Sequence, residues 1–167
     1  MILQLRFLRC ALLAAGTFSA PLFGQTGTAK RLPAMAQEIV AAHNSVRADH
    51  GVPPLRWSDE VAEYAQKWAN ALIANGEFKH SSPRYGENLF EISGGSTTAY
   101  DVVSAWAAER KNYNYRKNTC SGTCGHYTQV VWRDTHLLGC GMARDRRREV
   151  WVCDYEPHGN IVGERPY

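Results

Sequence analysis

After its first 25 residues the 167-residue chain has no apolar run long enough to cross a bilayer. It also has no Asn-x-Ser/Thr acceptor, no internal repeat and no low-complexity segment. Net charge is nearly absent. The formal +3 includes Arg6 and Arg9, and the chain without them carries +1, a balance that does not suit nucleic acid as a partner. These absences set aside a membrane-embedded protein, a solenoid and a nucleic-acid binder. The length suits one domain with a proper core and is too short for two.

Residues 1–24 have the layout of a secretory signal: Arg6 and Arg9, the apolar run from Cys10 to Gly16, then small residues and Pro21. Ser19 and Gly24 are the candidate cleavage positions, and Cys10 leaves with the signal. Residues 25–33 read as a flexible leader, so the folded domain is expected over 34–167 in an extracellular, secreted protein. That domain keeps Cys120, Cys124, Cys140 and Cys153, an even number in an exported chain, which favours two disulfides over free thiols. Leu137 to Ala143 and Glu149 to Tyr155 read as strands. A hairpin centred between Arg146 and Arg147 sets Cys140 opposite Cys153, and Cys120 and Cys124 then close a small loop. A zinc site on those two thiols is the competing reading, weakened by the oxidising compartment and by the lack of a second thiol pair nearby. The run Arg146-Arg147-Arg148 reads first as a solvated tip and second as a patch for anionic lipid or polysaccharide.

Periodicity predicts four helical segments. The first follows Pro33 and carries Ala36, Ile39, Val40, His43 and Val46 up to Gly51. The second is capped by Ser58, has Asp59 and Glu60 in its first turn and stops at Asn75-Gly76. The third starts near Thr97 or Thr98 and runs through Val102, Trp106, Glu109 and Tyr113 on one face. The fourth is a short turn over Gly125-His126-Tyr127-Thr128-Gln129-Val130-Val131-Trp132, where His126 shares the inward face of Val130. Leu89 to Ile92 reads as a short strand, and the end of the chain allows at most another. The expected class is α+β, helices packed on a small antiparallel sheet.

Ionisable groups stand in unexpected places. Glu109 lies on an apolar stripe, where a carboxylate must be paired, and His80 and Glu87 bracket a turn-rich segment. With His126 these four are either a ligand set for a divalent metal or a hydrogen-bonded polar cluster, and chain order does not choose. His43 and Asn44 read as structural.

Five segments in order carry a family resemblance: Ala42-His43-Asn44-Ser45-Val46-Arg47, Tyr85-Gly86-Glu87-Asn88-Leu89, Trp106-Ala107-Ala108-Glu109, Gly125 to Trp132, and Trp151 to Asn160. Over about Met35 to Tyr167 the chain resembles the CAP superfamily (cysteine-rich secretory proteins, antigen 5, pathogenesis-related class 1), and the plant class 1 type most of all. The resemblance implies an α-β-α sandwich with a cleft holding His80, Glu87, Glu109 and His126, able to take a divalent ion such as zinc that is not obligatory. It also implies the pairs Cys120–Cys124 and Cys140–Cys153. The plant pattern has six cysteines; the third bridge is missing here, so the tip from Arg144 to Arg148 is expected to be looser.

For function, the resemblance implies a monomeric secreted binding module for a sterol, another lipid or a small apolar ligand, in defence or host interaction. The alternative is a metal-dependent or serine-type hydrolase using the tetrad. Imidazole beside carboxylate is adequate base chemistry, but Ser81, Ser82 and Thr128 lack a strained elbow or an oxyanion motif, so binding is favoured. A third reading makes the chain a precursor that releases Pro157 to Tyr167, which fits the form of a plant defence peptide.

Overall fold

The computed structural model describes residues 32–82 and 84–167; the signal over 1–24 and the leader as far as residue 31 lie outside them. Helix α1 (Ala34–Ala48) buries Ala36, Ile39, Ala42, His43 and Arg47. Helix α2 (Asp59–Asn75) starts and stops on local signals. Ser58 accepts from Val61 N at 3.3 Å, Asp59 and Glu60 occupy the first turn, and Gly76 ends the helix at φ 68°, where an L side chain would be strained. Helix α3 (Ala99–Ala107) opens on a capping box between Thr98 and Asp101.

Strands β1 (Arg56–Trp57), β2 (Gly86–Ser93), β5 (Leu137–Arg144) and β6 (Arg148–Glu156) form one sheet in the order β1-β5-β6-β2. The sheet is antiparallel apart from the two-residue edge strand β1, which runs parallel to β5. Strands β3 (Tyr113–Asn114) and β4 (Thr119–Cys120) make a separate small hairpin, and α4 (Gly125–Val130) follows it. The hairpin register is the expected one: Cys140 faces Cys153 and the two are bonded, as are Cys120 and Cys124. Loop closure of these lengths contributes about 3 and about 2 kcal/mol, respectively.

Both faces of the sheet are covered. On one, Val150, Val152 and Leu89 pack against Ala65, Ala69 and Leu72 of α2. On the other, Trp151, Cys153 and Tyr155 meet Ile39 of α1, Val102 and Trp106 of α3, and Tyr127 and Val130 of α4. Because β6 is buried on two sides, Glu149 to Tyr155 reads as a continuous buried run without polar alternation. Helix α2 sits close on β5 because Gly139 and Gly141 face it; a Cβ at either would strike the backbone of Ala62 or Gln66. The result is an α-β-α sandwich.

Two expectations are corrected. The third helix does not continue to Tyr113. The α-helix ends at Ala107, a 3-10 turn covers Ala108–Asn112, and Tyr113 already pairs with Cys120 in the small hairpin. At the basic tip Arg146 and Arg147 are exposed, as a solvated tip requires, but Arg148 is not free. Arg148 reaches Glu91 at 2.7 Å and the carbonyls of Leu72 and Glu77, Arg144 pairs with Glu149 at 2.8 Å, and Asp145 accepts from the backbone of Arg147 and Arg148. These contacts fasten the hairpin where a third disulfide is missing.

Candidate functional site

The site is built from two imidazole–carboxylate pairs. His126 Nδ1 lies 2.7 Å from Glu109 Oε1, and Glu109 Oε2 accepts from the backbone N–H groups of His126 and Tyr127 at 3.1 and 3.4 Å. One carboxylate thus orients the ring and satisfies the exposed amides at the start of α4. This is the partner that Glu109 requires. The His126 ring stacks on Trp106 at 6.3 Å, and Trp106 donates to Leu89 O at 3.1 Å. The inward orientation expected for His126 is only half realised. Val130 is fully buried, but the His126 side chain is 27% exposed, because the first turn of α4 lies at the cleft wall where Glu109 holds it.

The second pair repeats the pattern. His80 Nδ1 lies 2.7 Å from Glu87 Oε1, which also accepts from Ser81 N at 3.0 Å. Here the exposures differ sharply: the His80 side chain is 62% exposed and that of Glu87 6%. Trp68 Nε1 donates to Lys79 O and ties the His80 loop to α2. His80, Glu87 and His126 line one cavity of about 330 Å³, together with Asn88, Thr123 and Asn160. Glu109 stands behind His126 and does not line it. With each Nδ1 turned to a carboxylate, the neutral ring carries its proton there and keeps a lone pair on Nε2.

A buried network supports these pairs. Tyr155 OH donates to His43 Nε2 at 2.8 Å, and His43 Nδ1 donates to Ile39 O at 2.7 Å. Burial lowers the His43 imidazole to about 4, so it is neutral and its tautomer is fixed by these bonds. Asn88 Nδ2 donates to Tyr155 OH and to His126 O. Asn44 brackets Leu55 through both its amide atoms. His43 and Asn44 are structural, as their positions on α1 suggested.

Two buried ionisable side chains adjoin the site without having been singled out. Arg47 is fully buried; Nε donates to Pro53 O at 2.7 Å, Nη1 to Val130 O at 2.9 Å and Trp132 O at 2.8 Å, and Nη2 to Thr135 O at 3.1 Å. It therefore holds the chain leaving α4, as Glu109 holds the start. Burial lowers the guanidinium to about 10, and it stays charged at neutral pH. Its signal was the spacing Ile39, His43, Arg47, two steps of four along one helix face. Asp154 pairs across β2 and β6 with Glu87 and is fully buried. Both its oxygens, and Glu87 Oε2, have no hydrogen-bond partner among the described residues. Burial, and then the Glu87 charge, push the Asp154 carboxyl up to about 8.

The hydroxyls near the site do not face an imidazole. Ser81 Oγ donates to Ser82 O, and Thr128 Oγ1 lies among Cys124 O, Gly125 O and Asn160 Oδ1. The C-terminal segment from Pro157 is docked against α4: Gly159 N donates to Gln129 Oε1, Asn160 Nδ2 to Gly125 O, and Arg133 N to Pro166 O. No helix of the described residues is long and apolar enough to cross a membrane. Among the described residues no group of three or more His, Cys, Asp or Glu side chains is gathered to hold a metal ion.

Comparison with known proteins agrees with this architecture. The model of the cysteine-rich secretory protein family (CAP) matches residues 40–155. Pathogenesis-related protein 1 of Arabidopsis thaliana is 44% identical over 132 residues, 78% of this chain and 81% of that protein. Pathogenesis-related protein 1A of Nicotiana tabacum is 46% identical over 134 residues, covering 78% and 80%. Among solved structures, Schistosoma mansoni venom allergen-like protein 4 superposes with a TM-score of 0.67 at 29% identity, over 81% of this chain and 95% of that one. NaASP2 with Zn2+ superposes with a TM-score of 0.67 at 26% identity, over 80% and 84%. The chain belongs to the cysteine-rich secretory protein (CAP) family, among relatives of the plant pathogenesis-related type.

Proposed function

We propose that this is an exported, defence-related binding module whose cleft takes a divalent metal through His80 and His126. One observation carries the reading: each ring is oriented by a carboxylate at Nδ1 and has Nε2 left over, the usual arrangement behind a metal-bound imidazole. Glu87 and Glu109 then act as orienting partners behind the two ligands, in place of the four-ligand set that the sequence suggested. Zinc suits two neutral imidazoles with the remaining positions open to water or ligand. The engaged hydroxyls of Ser81 and Thr128 supply no nucleophile beside an imidazole, which supports binding over hydrolysis.

Calorimetric zinc titration of chelator-stripped protein tests this. The parent is expected to bind a single ion, more weakly at about pH 5.5 than at about pH 7.5, because protons compete for the ring nitrogens. His80→Ala and His126→Ala are each expected to abolish binding, and Glu109→Gln to weaken it. No binding by the parent, or unchanged affinity in both histidine variants, would make the cluster structural.

A second reading, an apolar ligand, is supported by a groove between α1 and α3. Ala42, Val46, Val103, Ala107 and the 68% exposed Tyr100 line its floor, and Ser45, Asp49 and Ser104 make it polar at the rim, where a carboxylate or hydroxyl head would lie. At about 260 Å³ it falls below the roughly 300 Å³ needed to enclose a drug-sized ligand. An acyl chain lying along it suits the groove better than an enclosed sterol. Fatty-acid binding by the parent should survive His126→Ala and be lost in Ala107→Trp, which fills the groove. Absence of binding at about micromolar concentration, or an unaffected Ala107→Trp, would dismiss the groove.

A further inference from the structure

The strongest unexplained charge on the molecule is at the β3–β4 hairpin. Between Glu109 and Asp134 the chain has no acidic residue, and Arg110, Lys111, Arg116 and Lys117 fall within that interval. All four are exposed. Elsewhere among the described residues five cations pair with a carboxylate, Lys67 with Glu63, Lys79 with Glu77, Arg84 with Glu60, Arg144 with Glu149 and Arg148 with Glu91, while Arg56, Arg133, Arg146 and Arg147 do not. Among the described residues no carboxylate pairs with the four at the hairpin. Arg165 adds a fifth cation, drawn to the same edge by donating to Tyr115 O and Arg116 O at 3.2 Å each.

Two of these charges line a concavity. Lys111 and Lys117 line a cavity of about 360 Å³ whose other walls include Asn112, Asn114, Thr119 and Ser121, with no acidic residue. Its rigidity comes from the Cys120–Cys124 bond, from Asn112 Nδ2 donating to Thr123 O at 2.7 Å, and from Asn114 Oδ1 accepting from Lys117 N at 3.1 Å. Its aromatic lining residue, Tyr113, is engaged in ring contacts with Tyr115 and Tyr127, and its hydroxyl donates to Asn118.

We propose that the cavity between Lys111 and Lys117 binds an acidic polysaccharide, a sugar chain bearing carboxylate or sulfate groups. The lysines supply ammonium donors to the acidic groups, and the amides and hydroxyls between them match sugar hydroxyls at hydrogen-bond range. A single glycan chain fits a polar cavity of this size. A single-stranded nucleic acid would need a free aromatic face for its bases, and Tyr113 has none to give; a duplex would need a broader excess of positive charge than this nearly neutral chain carries. A membrane would need an apolar rim, whereas these walls are mostly amide, hydroxyl and ammonium. The site is separate from the histidine cleft and does not rest on the metal reading.

The test is retention and affinity of the purified folded protein on polygalacturonate and on heparin, with dextran as neutral control, in low and moderate salt. Two arms identify the acidic group: carboxylate alone in polygalacturonate, sulfate in heparin. The parent is expected to bind at least one, not dextran, and to release as salt rises. Lys111→Gln with Lys117→Gln should weaken binding about tenfold. Arg146→Gln with Arg147→Gln removes the same charge at the other hairpin and should change little. Chelator should have no effect, which keeps failure here distinct from failure of the metal site. The proposal is overturned by absence of binding to both polymers, by equal weakening in the two double variants, or by equal or tighter binding of duplex DNA or phosphatidylserine vesicles.

Discussion

Arg47→Met is expected to lose at least about 3 kcal/mol of stability, read as a lower urea midpoint by tryptophan fluorescence. Two effects compete at this position. Removing a buried charge relieves desolvation, and a methionine of similar length fills much of the space, so a neutral result is conceivable where the partners leave together. Here they do not. Val130 O, Trp132 O, Thr135 O and Pro53 O all accept from the guanidinium; Trp132 O keeps Thr135 N and Pro53 is exposed, but Val130 O and Thr135 O are left buried without a partner at about 1–3 kcal/mol each. These two, with the lost bonds to the others, outweigh the relief. Arg47→Lys is expected to recover little, because a single ammonium does not span acceptors that a planar fork reaches in several directions. A loss under about 1 kcal/mol in the methionine variant would mean that water replaces the guanidinium.

The second large effect has the opposite sign. Asp154 is fully buried with both oxygens unpartnered, and its carboxyl is raised from 3.8 to about 8. As pH climbs, the unfolded chain releases this proton first, so the folded state binds more protons between about pH 4 and about pH 8. Stability from this group is complete below that window, falls through it and is lowest above it. With each pKa unit worth about 1.4 kcal/mol, the full loss is on the order of 5 kcal/mol. Asp154→Asn keeps the shape and the neutrality of the protonated acid. It is expected to match the parent near pH 4 and to be several kcal/mol more stable at pH 8, in unfolding curves measured across that range. Equal pH dependence in parent and variant would show that Asp154 ionises with a partner or water beside it.

What was legible in the sequence follows from where the information sits. Helix α2 carries its own start at Ser58 and stop at Gly76, and the long hairpin sets its own register through Cys140 and Cys153, so both were readable. Strand β1 was not. Arg56 and Trp57 have no strand signal and pair with Leu137 and Leu138 only because the chain returns there. The end of α3 was missed for a related reason: Trp106, Glu109 and Tyr113 keep helical spacing, while the pairing of Tyr113 with Cys120 ends the helix from outside. The histidines and glutamates could be named as a group, but their division into two pairs depends on the 3-10 turn at Glu109. Arg47 and Asp154 lie among apolar neighbours that the pattern reads as core, and their roles depend on carbonyls and a carboxylate distant in the chain. The cations of the small hairpin were visible in composition, yet the run at Arg146 drew attention first. Ion pairing does not separate the two runs, since Arg146 and Arg147 also have no carboxylate partner among the described residues; the cavity lined by Lys111 and Lys117 does.

Helix α4 is six residues long, too short to persist by itself in water. It exists because Glu109 grips its first amides and Arg47 the carbonyls at its end. The 3-10 turn and the helix α1 that supply these grips both pack against α4, so His126 has little freedom to swing out short of wider unfolding. Its ring is therefore ordered before anything arrives in the cleft. A ligand held there as proposed would forgo most of the entropy loss that a mobile loop imposes, and the part left to be ordered would be the exposed His80 on its loop.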